Sequence, residues 1–159
     1  MAQEVKDQES PRQKWATPKA LFNQLNSEYA FTVDAAAEDV NALLDTYWTR
    51  ETDALKQDWS SQRVFCNPPW NKILPWINKA LESTGFVVLL VPSRTGSKWF
   101  LEAATKAELH FFRGRVQFKT PGAGVKESSN PYDTCLMLFG PGIIPGTIKF
   151  RDAKTGKVL

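Results

Sequence analysis

Hydrophobic residues recur along this chain in two periods, and the switches between them mark its elements. Leu21, Phe22 and Leu25 fall on one stripe of a helix that runs to about Tyr29, with Thr17 and Pro18 reading as its N-cap and first helical residue. Phe31-Thr32-Val33-Asp34 reads as a short strand ending at a carboxylate. Ala35-Ala36-Ala37 follow it, small enough for a loop to come close to a ligand. On spacing alone Asp34 serves equally well as a helix cap. Glu38 to Tyr47 is a polar connection with Leu43-Leu44 tucked under it, and Asp53 and Asp58 stand beside the apolar anchors Leu55 and Trp59.

A further strand ends near Cys66, and Lys72 to Glu82 reads as a helix burying Ile73, Leu74, Trp76, Ile77, Ala80 and Leu81. Pro75 is tolerated there because it lies in or near the first turn. The unbroken apolar run Phe86 to Val91 fits a central parallel strand covered on both faces. Ser97 to Ala107 predicts a helix with Trp99, Phe100 and Ala103 inward. Leu109 to Phe112 predicts a strand that Arg113-Gly114 turns towards Val116-Gln117-Phe118. Thr134 to Phe139 is the last long strand, and Thr147 to Phe150 an edge strand. Thr120 to Asn130, rich in Gly, Ser and Lys, reads as a mobile loop able to close over a ligand. Residues 1–14 read as a mobile tail and Arg151 to Leu159 as a frayed basic end, which leaves a single domain over 15–150. Strands alternating with helices predict an open α/β sheet, mostly parallel with one late antiparallel strand. Ligands of such sheets bind beyond the carboxyl ends of the strands, where Asp34, Asp58 and Asn67 fall.

At 159 residues, 42% hydrophobic and 23% charged, the composition is that of one ordinary globular domain. No apolar run approaches the roughly 20 residues that span a bilayer, and the start of the chain is polar, so a cytoplasmic protein is expected. Cys66 and Cys135 each lie in an apolar run with no CxxC or Cys/His cluster, which predicts reduced core thiols and no metal. His110, the only histidine, lies in a strand-like run and reads as structural. Charge divides the chain: up to Trp59 there are 6 Lys/Arg against 11 Asp/Glu, and from Ser60 onward 14 against 6. The second half therefore favours a polyanion.

One stretch carries chemistry: Val64-Phe65-Cys66-Asn67-Pro68-Pro69-Trp70. Proline cannot donate to a sheet ladder, so the strand ends near Cys66, and each proline biases its predecessor towards extended geometry. Asn67 and Pro68 are thereby held in a stiff turn that fixes their carbonyl groups beside the Trp70 ring. Such a set can receive both hydrogens of a planar amino group while the ring stacks on the heterocycle that bears it.

Asn67-Pro68-Pro69-Trp70 resembles the (D/N/S)PP(Y/F/W) motif of amino methyltransferases. With Trp15, Thr17-Pro18, Phe31 to Ala37, Asp53, Asp58-Trp59, Val88 to Pro92 and Gly114 to Phe118, the likeness extends to the Dam-like DNA N6-adenine methyltransferases of phages and their hosts. That resemblance implies a minimal, Rossmann-like S-adenosylmethionine-dependent methyltransferase fold acting on a flipped adenine in double-stranded DNA. By it, the catalytic residues are Asn67, Pro68, Pro69 and Trp70; the Asn67 oxygen and Pro68 carbonyl accept the amino hydrogens as the nitrogen attacks the sulfonium methyl in line. It also implies that Trp15, Thr17, Pro18, Asp34, Ala35, Asp53 and Asp58 bind the cofactor, with Asp58 the leading acid for its adenine. Phe118 and Arg115 would approach the target base and the DNA backbone, and Arg113, Lys119 and Lys126 complete a basic set read as contacting phosphates. The chain departs from the family pattern in lacking an FxGxG-like loop between Val33 and Asp39 and in carrying tryptophan as the fourth motif residue. No segment is long enough for a separate target-recognition domain, so a short or weak sequence preference is expected. Methylation of a protein glutamine amide, and a nucleic-acid-binding relative without activity, are the competing readings; adenine and cytosine are both open as target bases.

Overall fold

In a computed structural model of the chain, residues 16–119 and 130–159 are described. The strands are β1 (Val33–Asp34), β2 (Arg63–Cys66), β3 (Phe86–Pro92), β4 (Glu108–Arg113), β5 (Thr134–Phe139) and β6 (Ile148–Asp152), and the helices α1 (Lys19–Tyr29), α2 (Leu74–Glu82) and α3 (Lys98–Ala104). All six strands join one sheet in the order β1-β2-β3-β5-β4-β6. Only β5 runs against its neighbours, pairing antiparallel with β3 and β4; β1 with β2, β2 with β3 and β4 with β6 are parallel. This is the mostly parallel α/β sheet with one late antiparallel strand that the alternation of elements predicts.

Burial on both faces follows from the two-residue period of a strand. Val87, Leu89 and Val91 of β3 join a core with Cys66, Ile77, Phe100, Ala103 and Met137, under α2 and α3. Phe86, Val88 and Leu90 join Leu21, Phe22, Leu25, Phe65 and Leu138, under α1. Both cysteines are free and buried, and burial pushes the Cys135 thiol up to about 12. Before β3, a side chain on Gly85 would run into the carbonyls of Trp59 and Gln62, so this crossing of backbones needs glycine.

Three local expectations are corrected. Helix α1 begins at Lys19 with Pro18 in the cap position, ψ 134°, and no side-chain cap; Thr17 is engaged elsewhere. Leu74 is 52% exposed, because α2 turns it away from the sheet. Lastly, the end expected to fray at Arg151 is tied into the fold. Arg151 is wholly buried and donates to both Glu28 oxygens (2.6 and 3.0 Å), to His110 Nδ1 (2.8 Å), to the Gly156 carbonyl (2.8 Å) and to the Tyr29 hydroxyl (3.0 Å). A buried guanidinium is tolerable when its donors are met in this way. His110 completes the network by meeting Glu108 at 2.7 Å through Nε2, and burial lowers its pKa.

Candidate active site

Strands β1 and β2 are parallel and in register, Asp34 beside Phe65, so their carboxyl ends open side by side. The chain leaving β1 does not turn into a helix. It stays alongside the sheet, with the Ala35 N–H on the Phe65 carbonyl (2.9 Å) and the Ala37 N–H on the Trp48 carbonyl (3.1 Å), and Thr46 to Trp48 return to bond Asp34 from the other side. No described alanine in this loop has a positive φ, which is why the missing glycines cost nothing here. Asp34 is therefore not a helix cap. The residue is 3% exposed, and its carboxylate accepts from the Leu43 N–H at 3.2 Å and from the Ala36 backbone. Burial pushes its pKa up to about 6 against the pull of those amides.

Beyond these strand ends lies a cavity of about 370 Å³, walled by Ala35 to Glu38, Asn41, Trp48 to Arg50, Asp53 to Leu55, Asn67, Pro69, Lys72, Pro75 and Trp76. Two indoles, Trp48 and Trp76, line it, and a third, Trp59, packs against both. Trp59 is buried, donates from Nε1 to the Ala54 carbonyl (2.8 Å), and packs against Trp48 and Trp76 with centroids 6.4 Å away in each case. Asp53 stands at φ 55°, ψ 90°, a costly backbone state for a residue other than glycine, with its carboxylate accepting from the Leu55 N–H at 3.1 Å. Asp58, expected as the leading acid, is exposed and instead accepts from the Ser60 N–H at 2.8 Å. Asp53 is the aspartate on the cavity wall.

The Asn-Pro-Pro-Trp turn separates this cavity from an aromatic cluster. Pro69 is extended at φ −62°, ψ 116°, and the chain then enters a one-turn 3-10 helix over Trp70–Lys72. Asn67 lies on the cavity wall, and its Nδ2 donates to Thr17 Oγ1 at 3.3 Å. Pro68 is buried behind it. Trp70 donates from Nε1 to the Leu90 carbonyl (3.2 Å) and meets Phe118 and Tyr132 edge-on, at 5.3 and 6.0 Å between centroids. Phe118 is wholly buried, so it reaches the site through Trp70. Tyr132, packed on Trp70, is a neighbour of the turn that periodicity missed; the signal for it is Asn130-Pro131-Tyr132, an amide, a proline and an aromatic ring ahead of β5. Arg94 lies over the Tyr132 ring at 5.4 Å. Among the basic candidates, Arg113 pairs with Asp152 (3.0 Å), Arg115 with Asp133 (3.5 Å), and Lys119 is held through its backbone to Ala16. The Arg115–Asp133 pair is exposed and worth little, whereas Asp152 is partly buried and also accepts from the Lys154 and Thr155 N–H groups. Trp15 and Lys126, and all but the last residue of the expected loop Thr120 to Asn130, lie outside the described residues.

A mostly parallel sheet with one antiparallel strand, carrying a cavity and an amide-proline turn at the carboxyl ends, defines a small α/β fold of methyltransferase type. The chain belongs to the DNA N-6-adenine-methyltransferase (Dam) family, whose model matches residues 4–155. It is 30% identical over 101 residues to a DNA N-6-adenine-methyltransferase of Escherichia phage T1, a match covering 60% of this chain and 42% of that protein. It is 26% identical over 148 residues to a protein of the same description from Haemophilus phage HP1 (strain HP1c1), covering 88% of this chain and 86% of that one. The chain thus spans less than half of the T1 protein and most of the HP1 protein. Among the described residues no helix is long and apolar enough to cross a membrane, and no three His, Cys, Asp or Glu side chains gather as a metal site would require.

Proposed function

We propose that the protein transfers a methyl group from S-adenosylmethionine to the N6 amino group of adenine in DNA, in the cytoplasm of a bacterium that hosts the phage or prophage encoding it. The observation that carries this reading is the placement of Asn67 on the cavity wall, three residues before Trp70, whose ring packs edge to face with Phe118. A donor on one side and a planar base on the other meet there.

The residues present suit the cofactor. The cavity of about 370 Å³ lies within the range of roughly 300–1,000 Å³ usual for such ligands. Ala35 to Ala37 let the molecule lie close to backbone, Trp48 and Trp76 offer flat apolar faces, and Asp53 supplies a carboxylate. Thr17, Pro18, Asp34 and Ala35 stand at or behind the end where strand β1 opens. When bound, the cofactor supplies an electrophilic methyl on a sulfonium. The chain's own part is to raise the nucleophilicity of an amine whose lone pair is conjugated to a ring. The Asn67 side-chain oxygen and the Pro68 carbonyl accept the two amino hydrogens, favouring the pyramidal, attacking form. Trp70 stacks on the extruded base, with Phe118 and Tyr132 setting its plane, and Arg113, Arg115, Lys119 and Lys126 take phosphates of the backbone.

The test is methyl transfer from labelled cofactor to duplex DNA, followed by digestion to nucleosides. Label in N6-methyladenine is expected. Label in N4-methylcytosine, in a protein glutamine, or nowhere would each overturn the assignment.

A further inference from the structure

We propose that Thr17 is a positioning residue for Asn67, fixing which end of its amide meets the substrate amine; this rests on the methyl-transfer reading above. An asparagine amide has two ends of nearly equal shape, and only the oxygen accepts a hydrogen bond. An amide turned the wrong way would set NH₂ against NH₂, a repulsive pair at the place where an acceptor is required. The turn of two prolines stiffens the backbone but leaves the amide plane free to rotate.

The structure supplies the missing constraint from a residue 50 positions away: Asn67 Nδ2 donates to Thr17 Oγ1 at 3.3 Å. With the donor end committed there, the oxygen is turned away from Thr17. Thr17 is itself fixed. It is 5% exposed, it caps nothing on α1, and it lies between Ala16, which exchanges two backbone hydrogen bonds with Lys119 (2.8 and 3.1 Å), and Pro18 at φ −58°. Thr17, Asp34 and Asn67 also wall a second, small cavity of about 20 Å³, enough for about one water. The conservative pair of substitutions separates shape from chemistry: valine keeps the form of threonine and loses the acceptor, while serine keeps the acceptor.

The experiment compares Thr17→Val and Thr17→Ser in the full chain by steady-state kinetics and by ¹⁵N NMR of the Asn67 side-chain amide, assigned by its loss in Asn67→Asp. Thr17→Val is expected to lower kcat at saturating cofactor about tenfold, the worth of one hydrogen bond, with faster exchange of the Asn67 amide protons. Thr17→Ser is expected to restore both. In the Asn67→Asp background, where the two ends of the side chain are the same, Thr17→Val should change kcat by less than about twofold. A loss confined to cofactor KM, or an equal loss in both backgrounds, overturns the proposal. Should the wild type transfer no methyl to DNA, the methyl-transfer reading falls but the NMR arm still decides: unchanged Asn67 amide exchange in Thr17→Val overturns the positioning role.

Discussion

Trp70 and Phe118 meet edge to face, with ring centroids 5.3 Å apart and planes at 86°. Since Phe118 is buried and the Trp70 indole also bonds the Leu90 carbonyl, the ring has its plane set before any base arrives. Trp70→Ala should lower kcat/KM for DNA by roughly tenfold to a hundredfold, the range for loss of one base–aromatic stack. Trp70→Phe should retain most of the activity. Activity of Trp70→Ala within twofold of wild type would remove stacking from the account.

The buried carboxylate of Asp34 sets a pH dependence whose sign is fixed. Its folded pKa, about 6, lies above the ordinary value of 3.8. The folded state therefore holds this proton more tightly than the unfolded chain, and the associated stability is fully present below about pH 4 and lost as pH rises through about 6. Asp34→Asn, which keeps an acceptor for the Leu43 N–H, should stabilise the fold at pH 7.5, by on the order of 3 kcal/mol at most. The gain should vanish near pH 4. Denaturant unfolding at both pH values checks this, and an equal gain at both would show that burial of the charge is not its source.

Two aspartates five residues apart compete for the cofactor. Both accept a local backbone N–H, Asp53 from Leu55 and Asp58 from Ser60, but Asp53 lies on the cavity wall and Asp58 does not. By calorimetry with S-adenosylmethionine, Asp53→Ala should weaken binding by roughly tenfold or more, as loss of a charged hydrogen bond would, and Asp58→Ala by less than about twofold. The reverse order would return the role to Asp58.

How far the sequence speaks for the structure depends on the kind of signal. The β3 run and the Leu21, Phe22 and Leu25 stripe are burial patterns, and burial is what a packed sheet imposes, so both stand where periodicity puts them. The turn at Asn67 to Trp70 is equally legible because proline restricts backbone geometry by itself. Leu74 and Arg151 were misplaced because hydropathy says how a side chain would prefer to lie, while the helix phase exposes the leucine and partners on α1 and β4 satisfy the arginine. Asp53 and Tyr132 depend on tertiary closure: one on a loop that folds back along β1, the other on a ring brought to Trp70 from just before β5.

The central claim is that acceptors on the Asn67 turn activate an amine. Its most direct measurement is the rate of tritiated methyl transfer to duplex DNA by Asn67→Ala against wild type, with cofactor affinity and unfolding measured on the same preparations. The account predicts at least a hundredfold loss, the scale of removing a preorganised transition-state contact, with cofactor binding and stability nearly intact. Transfer to adenine at the wild-type rate by Asn67→Ala would contradict it.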